Sequence, residues 1–135
     1  MKNKLINTFV ESRLQQVLIN DLDSYQVKDS NEAYNLQEIV NEKLSLSGLG
    51  EVIGYKIGCT NKSIQKELGV NCPIFGPIFK NKIINSNKTI YIKEFTKVGV
   101  ECEIYIKISK EVNENTNYNI NNIRNFIANY GVSLE

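Results

Sequence analysis

Residues 45–50, SLSGLG, mark the feature that most constrains the fold: a change in hydrophobic period. Before them, Leu5/Ile6, Phe9/Val10, Leu14 and Val17/Leu18 recur at helical spacing, which predicts a helix over 3–19. Asp29 with Glu32 three residues on forms a capping box and opens a second helix, through about Leu44. After the break, EVIGYKIGCT reads as a strand and NKSIQKELG as a short helix, capped near Thr60 or Asn61 and stopped by Gly69. CPIFGPIF, with two prolines and a glycine, reads as a bent loop or an edge segment. KTIYIKEF and VGVECEIYIK alternate as strands. EVNENTNYN is a polar loop, as is the earlier connector NDLDSYQVKD. Ile120, Ile123, Ile127 and Tyr130 predict a last helix, and GVSLE the start of one more strand. The asparagines between Asn113 and Asn129 read as compositional drift, since helical periodicity runs through them. The order of elements predicts an α+β chain.

At 135 residues the chain makes at most one domain. Its net charge of +1 gives no field that would draw nucleic acid or an anionic membrane. Its basic residues are nearly all lysine, with arginine only at Arg13 and Arg124, which also argues against nucleic acid. No apolar run approaches the roughly 18–20 residues of a membrane span, and Glu11 and Arg13 interrupt any signal-type apolar region. Cys59, Cys72 and Cys102 lack C-x-x-C spacing and read as reduced cysteines of a cytoplasmic protein. The chain has no histidine. That excludes Ser-His and Cys-His nucleophile pairs and histidine-bound zinc. Acid–base chemistry is left to Asp, Glu, Lys, Tyr or Cys, and a metal site to oxygen ligands, which suit Mg²⁺ or Mn²⁺.

Two stretches carry candidate chemistry. In VECEIYIKI, period two puts Val100, Cys102, Ile104, Ile106 and Ile108 on one face, read as core, and Glu101, Glu103, Tyr105 and Lys107 on the other. The second face serves either as a solvated surface or as a pair of carboxylates, about 6–7 Å apart, gripping one hard cation. In VIGYKIGCT, Lys56 is flanked on its own face by Gly54 and Gly58. Glycine inside a strand marks a bend or a close approach by a ligand. A lysine in that gap either snorkels to water or holds a carboxylate and moves protons.

These segments carry a resemblance. EAYNLQ (32–37), GYKIGCTNKSIQKELGVNCPIFGPIF (54–79), VECEIYIKI (100–108) and the closing VSLE occur in this order in a known family. The chain resembles the 2-keto-4-pentenoate hydratases, 2-oxohepta-3-ene-1,7-dioate hydratases and 4-oxalocrotonate decarboxylases of the fumarylacetoacetate hydrolase superfamily. The resemblance implies N-terminal helices over 1–48, followed over 49–135 by the first part of a mixed, β-rich half-barrel, left incomplete. It implies Mg²⁺ or Mn²⁺ held by Glu101, Glu103 and Glu135, with Lys56 binding substrate or moving a proton. The implied substrate is a short 2-oxo or 2-hydroxy-dienoic acid from aromatic ring breakdown, hydrated across a carbon–carbon double bond. A decarboxylase of a 2-oxo-enedioate, or a catalytically incomplete partner, is the alternative. A homo-oligomer or an assembly with a longer homologous chain is the implied state. Ile74 stands where the hydratases carry an aspartate within P-D-F-G, a departure that favours the alternatives. As a stretch half the family's length, it is expected to expose an apolar sheet face and to turn over little substrate.

Overall fold

The computed structural model describes residues 2–22, 25–113 and 115–135. Asp23 and Ser24 of the polar connector and Glu114 of the polar loop lie outside the described residues. The elements, in chain order, are α1 (Lys2–Gln15), α2 (Ser30–Leu44), β1 (Val52–Gly58), α3 (Lys62–Glu67), β2 (Ile74–Phe79), β3 (Cys102–Ile108) and β4 (Ile127–Leu134). Helices and antiparallel strands together make this an α+β chain. The strands form two separate pairs, β1–β2 and β3–β4, both antiparallel. The chain divides into two units, Met1–Thr96 and Lys97–Glu135. No helix among the described residues is long and apolar enough to cross a membrane.

In the first unit α1 stops at Gln15, short of the expected Ile19, because Gln16 turns left-handed with φ 56°. Around that turn the Val17 N–H donates to the Ser12 carbonyl at 3.1 Å, the long bond typical of a left-handed helix end. Helix α2 begins where the capping box predicts. The Asp29 side chain accepts from the Glu32 N–H at 2.9 Å, and the Glu32 carboxylate reaches back to the Lys28 N–H at 2.8 Å. Glu32 also pairs with the Lys2 ammonium. That ammonium first, and the Lys28 N–H second, hold the Glu32 carboxyl below the ordinary glutamate value. A depressed carboxyl stabilises the fold above its unfolded pKa, and the contribution is lost as pH falls through the folded value. Melting temperature is therefore expected to fall below about pH 4.5, and to fall less steeply in Glu32→Gln. Parallel pH profiles for the two proteins would contradict this.

The helix end gives way to a wide turn, Ser45–Leu49, in which Gly48 takes φ 105°. A side chain would be strained there. The turn carries Leu49 into the core beside Leu44 and Phe79, with Val10, Val40 and Val52 packed around them. Strand β1 and helix α3 form as predicted. Asn61 caps α3 by accepting from the Ser63 N–H at 2.7 Å, and Gly69 follows its end with φ 69°.

Between β1 and α3, Cys59 is left-handed at φ 56°, and its carbonyl accepts from the buried Gln65 amide at 2.7 Å. A non-glycine residue in that region costs roughly 1–2 kcal/mol. Cys59→Gly is expected to raise stability by about 0.5–1 kcal/mol after glycine's own entropy is subtracted, read by urea denaturation. Destabilisation would show that the cysteine side chain outweighs the backbone.

Within CPIFGPIF, Ile74–Phe79 form β2, an edge strand against β1. The second proline is accommodated by the alternation of the ladder. The Phe75 N–H donates to the Tyr34 hydroxyl at 3.3 Å, and the Phe75 carbonyl accepts from the Gln37 amide at 3.4 Å. Phe75 thus turns its polar groups away from β1. Two residues on, Pro77 faces the same outer edge, where no ladder donor is needed. The Tyr34 and Phe75 rings stack at 4.3 Å, within 7° of parallel.

Two elements differ from expectation. KTIYIKEF is not a strand: it holds a short 3₁₀ turn, Ile92–Glu94, and pairs with no strand among the described residues. Alternation alone did not secure a ladder partner. The predicted last helix is also absent. Only Ile123–Phe126 is helical, as a 3₁₀ turn, and Ile127 and Tyr130 belong to β4. The asparagines are the cause, not compositional drift. The Asn119 side chain accepts from the Asn121 N–H, the Asn122 side chain accepts from the Asn119 N–H, and the Asn122 amide donates to the Asn117 carbonyl, at 2.8–2.9 Å. Such local bonds compete with the helix ladder.

In the second unit, the face of β3 read as core is apolar but open: Val100 is 70%, Ile104 75% and Ile106 55% exposed. Val132 and Leu134 of β4 continue this exposed face.

Candidate functional site

Strand β3 runs against β4 with Cys102 opposite Leu134, Glu103 opposite Ser133, and Tyr105 opposite Gly131. One pair further, the Glu101 N–H donates to the Glu135 carbonyl at 2.8 Å and the Glu135 N–H to the Glu101 carbonyl at 2.9 Å. This is a hydrogen-bonded antiparallel pair, whose Cα atoms lie about 5.5 Å apart and whose side chains share one face. Glu103, two residues from Glu101, is on that face too. Three carboxylates, one of them 34 positions away in sequence from Glu101, therefore rise from neighbouring points of one surface. Their backbone spacings are about 5.5 Å across, about 7 Å along, and about 7–8 Å on the diagonal.

The side chains themselves do not converge. Among the described residues no three His, Cys, Asp or Glu groups are gathered as metal ligands. Like charges opposed on a sheet repel. Glu101 and Glu135 are exposed, and Glu103 is partly buried. The donors are hard oxygens, which fit Mg²⁺ or Mn²⁺.

Lys56 stands in the first unit, on β1, opposite Gly76 of β2. A Cβ at Gly76 would meet Lys56 Cε at 3.9 Å and Cγ at 4.0 Å, so the lysine stem lies over the cross-strand glycine. Gly54 and Gly58 flank it along β1. The local spacing shows those two glycines, but Gly76 appears only once the register is known. Ile74 pairs with Gly58, and its Cγ1 stands 3.8 Å from where a Gly58 Cβ would be. Ile74 is thus on the same face as Lys56, one diagonal step away.

No family model matches the chain. Known proteins do. A 2-keto-4-pentenoate hydratase of Burkholderia vietnamiensis (strain G4 / LMG 22486) is 31% identical over 84 residues, covering 62% of this chain and 32% of that protein. The chain is a relative of the 2-keto-4-pentenoate hydratases. A 2-keto-4-pentenoate hydratase of Paraburkholderia xenovorans (strain LB400) is 30% identical over 90 residues, 67% of this chain and 33% of its own length. The "TodF product hydratase" of Pseudomonas putida (strain ATCC 700007 and equivalents, F1) is 29% identical over 84 residues, 62% and 31%. The chain therefore spans about a third of the length of the curated hydratases it matches.

Proposed function

We propose that this chain supplies the cation-binding part of a metal-dependent hydratase, built on an incomplete fumarylacetoacetate-hydrolase-like half-barrel. Its substrate would be a short 2-hydroxy-dienoic or 2-oxo-enoic acid from aromatic ring breakdown. The observation that carries the reading is the reciprocal Glu101–Glu135 hydrogen-bonded pair, with Glu103 beside it on the same face. The names of the relatives support the reaction type.

Glu101, Glu103 and Glu135 would hold Mg²⁺ or Mn²⁺. The cation, when bound, supplies positive charge against the 2-oxygen of the acid. Lys56, over Gly76, would bind the substrate carboxylate or move a proton along its carbon chain. Hydration then joins a water hydroxyl to the far carbon of the double bond and a proton to the nearer one.

Ile74 favours a second reading. On the face of Lys56 it offers no polar group, which suits a decarboxylase of a 2-oxo-enedioate or a non-catalytic partner of a longer homologous chain. The test is the ultraviolet spectrum of 2-hydroxypenta-2,4-dienoate mixed with the protein, with and without Mg²⁺ or Mn²⁺. The proposal expects a cation-dependent change in dienoate absorbance that Glu103→Ala removes. Identical spectra with and without cation would contradict it.

A further inference from the structure

Beyond its carboxylates, the β3–β4 face carries one aromatic ring in an unusual setting. Tyr105 lies opposite Gly131, two pairs along from Glu103–Ser133 and four from Glu101–Glu135, all on the same face. A Cβ on Gly131 would stand 2.7 Å from Tyr105 Cε1 and 2.8 Å from both Cζ and Oη. The ring therefore occupies the space that any other residue at 131 would fill, and it is laid across the partner strand. Tyr105 keeps 43% exposure, so the seated ring still presents surface to solvent. Successive residues on one face of a strand are about 7 Å apart, so this surface begins about one short carbon chain from the carboxylates.

We infer that Tyr105, seated on Gly131, is a specificity-determining platform on which the planar, conjugated chain of the acid stacks while its 2-oxo-carboxylate end meets the Glu101–Glu103–Glu135 surface. The inference rests on the cation-site reading above. It adds the residue that selects the conjugated chain of that acid over saturated 2-oxo acids of equal length. The chemistry is that of offset aromatic stacking, in which a flat π-system gains over a flexible alkyl chain. Tyr105 acts here by binding, and its hydroxyl is not required.

The experiment is calorimetric titration of the full chain at saturating Mn²⁺ with (E)-2-oxopent-3-enoate and with 2-oxopentanoate. The native protein is expected to bind the conjugated acid about fivefold more tightly. Tyr105→Leu, and Gly131→Ala, which evicts the ring, are expected to bind the two acids equally. Tyr105→Phe keeps the preference, and all three variants keep native Mn²⁺ affinity and circular dichroism. A preference that survives in Tyr105→Leu, or is missing from the native protein, overturns the platform while leaving the cation site intact. Failure of the native chain to bind Mn²⁺, seen before any acid is added, overturns the cation reading and the platform with it.

Discussion

Replacing Glu103 with alanine is expected to weaken Mn²⁺ or Mg²⁺ binding by about a hundredfold or more. Loss of an outer-shell partner alone costs metal sites about 10–100-fold, and Glu103 is proposed as a direct ligand. Among the three glutamates it is the partly buried one, and a partly desolvated carboxylate gains most from a neighbouring cation. Lys107→Ala is the control. It changes a charge on the same strand face, four pairs from Glu103, and is expected to alter binding only slightly, by removing a screened positive charge. Titration calorimetry separates the two. Equal, small effects of both substitutions would mean that Glu103 is an ordinary surface charge.

The second large effect concerns stability. Phe79 is 4% exposed, at the end of β2, and packs with Leu44 and Leu49 in the core of the first unit. Among the described residues the five buried apolar side chains are Leu5, Ile6, Leu44, Leu49 and Phe79, all in this unit. A core this small has little redundancy. Phe79→Ala is expected to cost about 3–5 kcal/mol, against total stabilities of about 5–15 kcal/mol for ordinary domains. Urea denaturation followed by far-ultraviolet circular dichroism should show the helical signal lost at much lower denaturant, or absent in water. A change below about 1 kcal/mol would mean that the cluster closes over the gap.

Local chemistry made much of the first unit legible. The Asp29–Glu32 capping box, the Asn61 cap and Gly69 each act within a few residues, and each is found where its spacing implies. Pairing between distant strands was not legible. Ile120, Ile123, Ile127 and Tyr130 satisfy helical spacing, but residues 127–134 also alternate, and the choice was made by β3, some 20 residues upstream. KTIYIKEF shows the converse, an alternating segment without a strand partner among the described residues. The candidate site divides along the same line. Glu101 and Glu103 share a face by period alone, as do Gly54, Lys56 and Gly58. That Glu135 stands opposite Glu101, Gly76 under Lys56 and Gly131 under Tyr105 depends on register. Glu135 is marked only by the resemblance, and no local pattern marks Gly76 or Gly131.

The acidic face of β3 and β4 is most directly tested by electron paramagnetic resonance of Mn²⁺ titrated into the native chain and into Glu135→Gln. One bound Mn²⁺ per chain, displaced by Mg²⁺ and markedly weakened in Glu135→Gln, is the predicted result. A spectrum of free Mn²⁺ throughout, or binding indifferent to Glu135, would contradict a cation site on this face.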